Sequence, residues 1–283
     1  MRSEVILVTG GTSGIGKAIC IKFAKEGYHV ATCARTKDKV MSLRNELGSE
    51  HIVEVCDVRD KESISMFFDN VIERFGRLDI LINNAGVFIP GRIQDETDEI
   101  FTTMMETNLN ASYTFSKLSI PHLKASRNGQ LFSICSTASI TPYPNGGTYC
   151  ISKYAQYGMT KVLREELKED GVKVTAVLPG ATYTPSWEGT DLPENRFMAA
   201  STIAKMIYDV SQLPAETVVE DLLDISMSQA ERLLVKPEWV CLDDIIPGLV
   251  TEFVGLAEQK GVRFEIDVPH HPEIEVFTDS SRL

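Results

Sequence analysis

An apolar run of strand length, EVILV, leads directly into TGGTSGIG at residues 9–16, and a helical pattern starts at once behind it. Gly10, Gly14 and Gly16 fall within seven residues. An ordinary strand-to-helix turn seldom needs three glycines so close together. The rest of the chain repeats the alternation. Strand-like runs recur at YHVATCA, IVEVCDV, LDILIN, QLFSICS, VKVTAVL and TVVEDLL. Helical patterns lie between them: residues 14–27, 37–48, 60–76, a long stretch from Asp98 to about Ala125, and 148–171. Gly27, Gly48, Gly76 and Gly171 stand where helices should end. Strands alternating with helices of this length predict an α/β fold. It is a doubly wound parallel sheet with helices on both faces, and ligands bind at the carboxyl ends of its strands.

Bulk properties narrow the function. The 283 residues suffice for one α/β domain and an appendage. A net charge of −12 argues against a nucleic-acid or anionic-membrane partner. No apolar run approaches a membrane span, and MRSEVILVTGG lacks the features of a secretory signal, so a cytoplasmic protein is expected. The six cysteines show no Cys-x-x-Cys spacing and fit a reducing compartment. Cys135 and Cys150 adjoin candidate site residues and read as small apolar fillers. His29, His51, His122, His270 and His271 form no ligand pattern, so no metal site is expected.

Three segments carry chemistry. In the glycine loop, backbone amides can approach a pyrophosphate at a helix N-terminus. The second strand ends VATCARTK, with Ala34 where an acidic residue would bind a ribose 2′-hydroxyl. Arg35 follows, and Lys37 is near. A guanidinium there suits a 2′-phosphate, which favours NADP(H) over NAD(H). The third segment holds Tyr149 and Lys153, one helical turn apart in GGTYCISKYA. A free phenol is a poor acid or base at neutral pH, and a neighbouring ammonium should lower its pKa. Ser136 lies 13 residues before Tyr149 at a strand end.

With NNAG at residues 83–86 and Asn108 at the end of METN, these features come in the order found in the short-chain dehydrogenase/reductase family. From residue 1 to about 224 the chain resembles that family. The resemblance implies a Rossmann domain and oxidoreduction of a small carbonyl or alcohol. It implies that Ser136, Tyr149, Lys153 and Asn108 are catalytic. Tyr149 would exchange the proton, Ser136 would donate to the substrate oxygen, and Asn108 would anchor a water linking Lys153 to solvent. Ser133 and Ser139 are alternative serines, but Ser136 takes the family position when SICSTAS is laid on N-I-S-S-V-A-G. Cofactor contacts are implied for Gly10, Thr12, Ser13, Gly14, Ile15 and Gly16, with Arg35 beyond them. Asp57 and Val58 would meet the adenine, although Asp57 also fits a helix N-cap. Asn84, Ala85 and Gly86 would line the ribose. Tyr149 and Lys153 would hold the nicotinamide side. Pro179, Gly180 and Thr184 would pass its carboxamide, and residues 183–197 would form a short lid around Trp187. Family members pair their long helices, which implies a homodimer or homotetramer.

The pattern changes after Leu223. Residues 225–283 hold 11 acidic and 5 basic side chains. Their order of elements resembles a truncated sensor histidine kinase fragment: a strand at LLVKPEWV, a helix from Leu242 to Gly261, and a strand at VRFEIDVP. The phosphoacceptor helix and ATP-binding motifs of that family are missing, so a small α+β or partly disordered appendage without kinase activity is expected. A rival to the enzyme is a non-catalytic nucleotide-binding or signalling module whose tail contacts a partner. A binding module has no need of a tyrosine base.

Overall fold

The computed structural model describes residues 3–182 and 197–223, together with the backbone of 238–241 and 275–278. The chain divides into two compact units, Met1–Ser228 and Gln229–Leu283.

The first unit follows the expected alternation. In chain order it runs β1 (Val5–Thr9), α1 (Gly14–Lys25), β2 (His29–Ala34), α2 (Lys37–Leu47), β3 (Ile52–Val55), α3 (Lys61–Phe75) and β4 (Ile80–Asn83). There follow α4 (Asp98–Met105), α5 (Ala111–Ala125), β5 (Gln130–Ile134), α6 (Gly147–Leu167), β6 (Lys173–Leu178), α7 (Ala200–Ser211) and β7 (Asp221–Leu223). All seven strands are parallel, in the order β3-β2-β1-β4-β5-β6-β7. The strand order reverses between β1 and β4, so a crevice opens at their carboxyl ends.

Burial on both faces explains why the strands are apolar throughout rather than alternating. Val5 and Leu7 point to a cluster with Phe67, Phe115, Leu131 and Leu163, under α3, α5 and α6. Ile6 and Val8 point the other way, to Phe23, Ile82 and Ile207 under α1 and α7. Asp79 starts β4 from a fully buried position. Its carboxylate accepts from the Val5 amide at 2.8 Å and the Ser126 hydroxyl at 2.6 Å, and it pairs with Arg77. The edge strand β7 is held by buried Arg164, which donates to the Val174 carbonyl at 3.1 Å and pairs with Asp221 at 2.8 Å.

Several expectations need correction. Only the last three residues of TVVEDLL form a strand. The stretch from Asp98 to Ala125 is not one regular helix: a π-helical turn, Glu106–Asn110, separates α4 from α5. Asp57 does not cap α3, because Asp60 does, accepting from the Glu62 amide at 3.0 Å. Helix α7 had no counterpart in the reading of the sequence. Ile203, Ala204 and Ile207 make a helical stripe packed on α1, with Tyr208 edge-on to Phe23 at 5.5 Å. The glycines expected past helix ends all have positive φ there, Gly76 at +70° among them.

In the second unit, β8 (Glu238–Cys241) and β9 (Glu275–Thr278) pair antiparallel, with Trp239 opposite Phe277. β9 falls where no strand was expected. The helix expected over 242–261 and the strand expected over 262–269 lie outside the described residues.

Candidate active site

The loop after β1 is knitted to the loop after β4 by one hydroxyl. Thr9 Oγ1 accepts from the backbone amides of Asn84 and Ala85, each at 2.9 Å. The Asn84 side chain returns the contact, donating to the Thr9 carbonyl at 2.8 Å and the Gly10 carbonyl at 3.2 Å. The fit is too close for side chains in the loop. Gly10 has φ +68°, and a Cβ there would lie 3.0 Å from Ala85 Cα. A Cβ on Gly16 would collide with the Asn84 side chain and the Gly10 carbonyl. The first turn of α1 holds no acidic residue, and the extended N-cap Ser13 makes no capping bond with its side chain. The positive end of α1 is therefore left for another anion.

Arg35 is exposed just past the end of β2, and Lys37 opens α2. Val58 is buried beside Asp57. Arg59, which the sequence reading passed over, grips the Asp57 carboxylate with Nε at 3.2 Å and a terminal nitrogen at 2.8 Å. Hydrogen bonds from Arg59 hold the Asp57 carboxyl below its ordinary range, with Arg35 adding to the effect.

Ser136, Tyr149, Lys153 and Asn108 converge at the carboxyl ends of β4 and β5. A Cβ built on Gly86 would sit 3.4 Å from Asn108 Oδ1 and 3.6 Å from Lys153 Nζ. Asn108 is fully buried in the π-helical turn. Its amide nitrogen donates to the Val87 carbonyl at 3.0 Å and Ser152 Oγ at 2.9 Å, while its oxygen accepts from the Val87 amide at 2.8 Å. Its side chain thus fixes the loop that carries Gly86. Ser136 starts a short 3₁₀ turn, Thr137–Ser139, and caps it by accepting from the Ala138 amide at 3.1 Å. Of the alternative serines, Ser139 is buried in the reciprocal cap, and Ser133 is buried within β5. The Pro179 carbonyl accepts from the Thr137 amide at 3.1 Å, which brings the end of β6 and Gly180 alongside.

Electrostatics here follow burial. Lys153 is nearly inaccessible, and burial pulls its ammonium down to about 8. Its Nζ donates to the Ile134 carbonyl at 2.8 Å and to Gln156 Oε1 at 2.9 Å. Burial pushes the Tyr149 phenol up, and a hydrogen bond with Ser136 opposes that. The expected lowering of Tyr149 by Lys153 is not what governs the phenol here, because the ammonium lies 6.0 Å from the ring centroid and is bonded elsewhere. Phe88 packs edge-on to Tyr149 at 4.9 Å. Burial pushes the Cys135 thiol up to about 11, in keeping with an inert filler.

The start of α6 is anchored from a distance. Glu96 accepts from the Thr148 backbone amide at 3.0 Å and also from the Thr148 hydroxyl. Gly91 donates to the Asn145 carbonyl at 3.0 Å and bridges Gly146. A Cβ on Gly147 would strike Glu96 and the Gly91 carbonyl, which accounts for the glycine directly before Thr148. This strap fixes the backbone next to Tyr149. A cavity of about 790 Å³ opens beside it, lined by Arg92, Ile93, Tyr143, Cys150, Ile151 and Tyr154 among others.

Residues 4–194 match the short chain dehydrogenase family. The chain belongs to that family. An uncharacterized oxidoreductase of Staphylococcus epidermidis is 29% identical over 222 residues, covering 78% of this chain and 96% of that protein. L-fucose dehydrogenase of Bos taurus is 35% identical over 186 residues, covering 65% of this chain and 68% of that protein. The crystal structure of an alcohol dehydrogenase from the archaeon Thermococcus sibiricus, complexed with 5-hydroxy-NADP, superposes with a TM-score of 0.73 at 28% identity, covering 79% of this chain and 96% of the other. Nothing in these similarities supports the kinase resemblance of the tail.

Within this short-chain dehydrogenase, Thr184 and the expected lid residues 183–196 lie outside the described residues, as do His270 and His271. No cluster of three or more His, Cys, Asp or Glu suited to a metal occurs among the described residues, and none of their helices is long and apolar enough to cross a membrane. Thr9, Phe88, Glu96 and Gln156 are neighbours of the site that sequence reading missed. Thr9 left a signal, a polar residue closing an otherwise apolar strand, whereas Gln156 left none until the helix face it occupies was known.

The buried ammonium predicts a pH-dependent stability. Lys153 has a lower pKa folded than unfolded, so above pH about 8 the unfolded chain holds a proton that the native state has lost. Stability from this group therefore rises with pH until about 10.5. In the unliganded protein, urea unfolding of wild type against Lys153→Met should show the difference moving in favour of wild type by up to about 1.4 kcal/mol per pH unit above pH 8. A difference that stays flat over pH 8–10 contradicts the assignment.

Proposed function

We propose that the chain is an NADPH-dependent carbonyl reductase, working on a small carbonyl or alcohol substrate with Tyr149 as general acid and base. The observation that carries this reading is the meeting of Lys153 and Asn108 at Gly86, with the Tyr149 ring 6.0 Å from the same ammonium and Ser136 near enough to oppose the rise of its phenol. A non-catalytic nucleotide module would gain nothing from that arrangement.

The residues present fit a dinucleotide. The uncompensated N-terminus of α1 and the crowded glycines leave the backbone amides of residues 12–16 to bind a pyrophosphate. Arg35 would grip a 2′-phosphate, with Ala34 offering no carboxylate to repel it. Asp57 and Val58 would meet the adenine, and Asn84 to Gly86 the ribose. Pro179, Gly180 and Thr184 would flank the nicotinamide. Bound there, the cofactor supplies hydride to the carbonyl carbon. The chain's own groups manage the oxygen. Ser136 donates a hydrogen bond to it, and Tyr149 delivers its proton as the alkoxide forms. Lys153 holds its charge near the forming phenolate, so the proton leaves Tyr149 at lower cost.

The same reading makes the protein a cytoplasmic homo-oligomer. Tyr113 on α5 and Val162 on α6 are 58% and 56% exposed, apolar surface of the kind a second copy covers. Residues 1–224 suffice for catalysis, and residues 225–283 are accessory.

Three outcomes test this. Tyr149→Phe keeps the ring and should cut turnover by about 10²–10⁴-fold while NADPH still binds, measured by cofactor fluorescence. Turnover near that of wild type would remove Tyr149 from the reaction. Arg35→Glu should lower or reverse the preference for NADPH over NADH, chiefly through the cofactor KM. An unchanged ratio of kcat/KM for the two cofactors would leave Arg35 as a surface residue. A chain ending at Asp224 should fold, bind NADPH, sediment as an oligomer and keep full-length kcat/KM. Aggregation or loss of activity would make the tail part of the working fold.

A further inference from the structure

Helix α6 buries an amide where its inner face would ordinarily be apolar. Gln156 is completely inaccessible and lies three residues beyond Lys153, hence on the same face. Lys153 Nζ donates to Gln156 Oε1 at 2.9 Å. Gln156 Nε2 donates to Ser112 Oγ at 3.1 Å, and Ser112 Oγ donates to the Asn108 backbone carbonyl at 3.1 Å. All four residues are buried. Apart from the water that Asn108 is expected to anchor between Lys153 and solvent, protein groups make an unbroken connection of their own, with every donor pointing from the lysine towards the Asn108 backbone.

Such a chain does not conduct a proton. To pass one along, the amide would have to end as its imidic-acid tautomer. What it does is hold. A flexible four-carbon side chain is tied at its tip to β5 through Ile134 and to α5 through Gln156 and Ser112. We infer that Gln156 is a positioning residue for Lys153, a neutral buried acceptor that fixes the ammonium beside Gly86 and leaves it without a permanent counter-charge.

The surroundings make the neutrality matter. The titratable groups that face Lys153 are Tyr149 on its own helix and Cys135 at the end of β5. The groups from the loop after β4, the π-helical turn and α5 are Gly86, Asn108 and Ser112, all uncharged. In this setting the residue at 156 sets how firmly the ammonium keeps its proton. A carboxylate would hold it, and a hydrocarbon would let it go.

The inference rests on the proposed function only for its kinetic arm. Gln156→Glu is isosteric and Gln156→Met nearly so, and circular dichroism checks that both fold. Lysine labelled with ¹³C at Cε is titrated by NMR in the unliganded full-length protein, with the Lys153 signal identified by its loss in Lys153→Met. The midpoint should rise by about one unit or more in Gln156→Glu and fall in Gln156→Met. With NADPH and a carbonyl substrate, the alkaline limb of the kcat/KM profile should move in the same two directions. A residue that merely fills space would lower the melting temperature in both variants and leave the midpoint where wild type has it, which overturns the proposal. If wild type reduces no carbonyl at all, the reductase reading fails, and the NMR titration alone still decides the role of Gln156.

Discussion

A lysine ammonium sealed from water at the carboxyl end of a parallel sheet is the constraint around which this structure is arranged. Burial alone favours the neutral amine and costs several kcal/mol in unrelieved cases. The chain answers with two neutral acceptors, the Ile134 carbonyl and the Gln156 amide, and with no buried carboxylate partner among the described residues acting on it. An ion pair would stabilise the charge more, but it would also neutralise the field at Tyr149. On the proposed mechanism, the arrangement gives up stability to keep an uncompensated positive charge near Tyr149. The same burial raises the Tyr149 phenol, so in the protein alone burial rather than the lysine governs it.

The lysine's position depends on elements far apart in sequence. Helix α6 is set by the strap from Gly91 to Glu96 at its start and by Arg164 near its end. The loop bearing Gly86 is fixed twice, by Thr9 from β1 and by Asn108 from the π-helical turn. Each tie uses a backbone amide or carbonyl that would otherwise be orphaned at a strand or helix end. Satisfying the backbone and assembling the site are therefore one operation.

The sheet, its parallel sense and most helices were legible in the sequence, because apolar runs buried on both faces contrast sharply with amphipathic helices. So were the loop glycines, where positive φ at Gly10 and Gly14 or close packing at Gly10 and Gly16 disfavours a side chain. Less was legible where tertiary contact decides. The π-helical turn, ETNLN, holds no glycine or proline to mark a break in the helical pattern. Asp60 rather than Asp57 caps α3, a choice between two acids three residues apart. The pKa of Tyr149 could not be read from its spacing to Lys153, since i, i+4 proximity gives a contact but not the burial that opposes it. Gln156 looked like any exposed helical residue until the face it occupies was known. The tail's kinase-like order of elements carried no packing information, and β9 formed where no strand had been read.

The central claim is that hydride passes to a carbonyl at this site while Tyr149 handles the proton. Incubation with NADPH deuterated at the transferable position and a panel of aldehydes and ketones tests it most directly, with the products read by mass spectrometry. The account predicts an alcohol carrying one deuterium on its carbinol carbon, formed by wild type and lost in Tyr149→Phe. Tight NADPH binding with no deuterium in any product would contradict it.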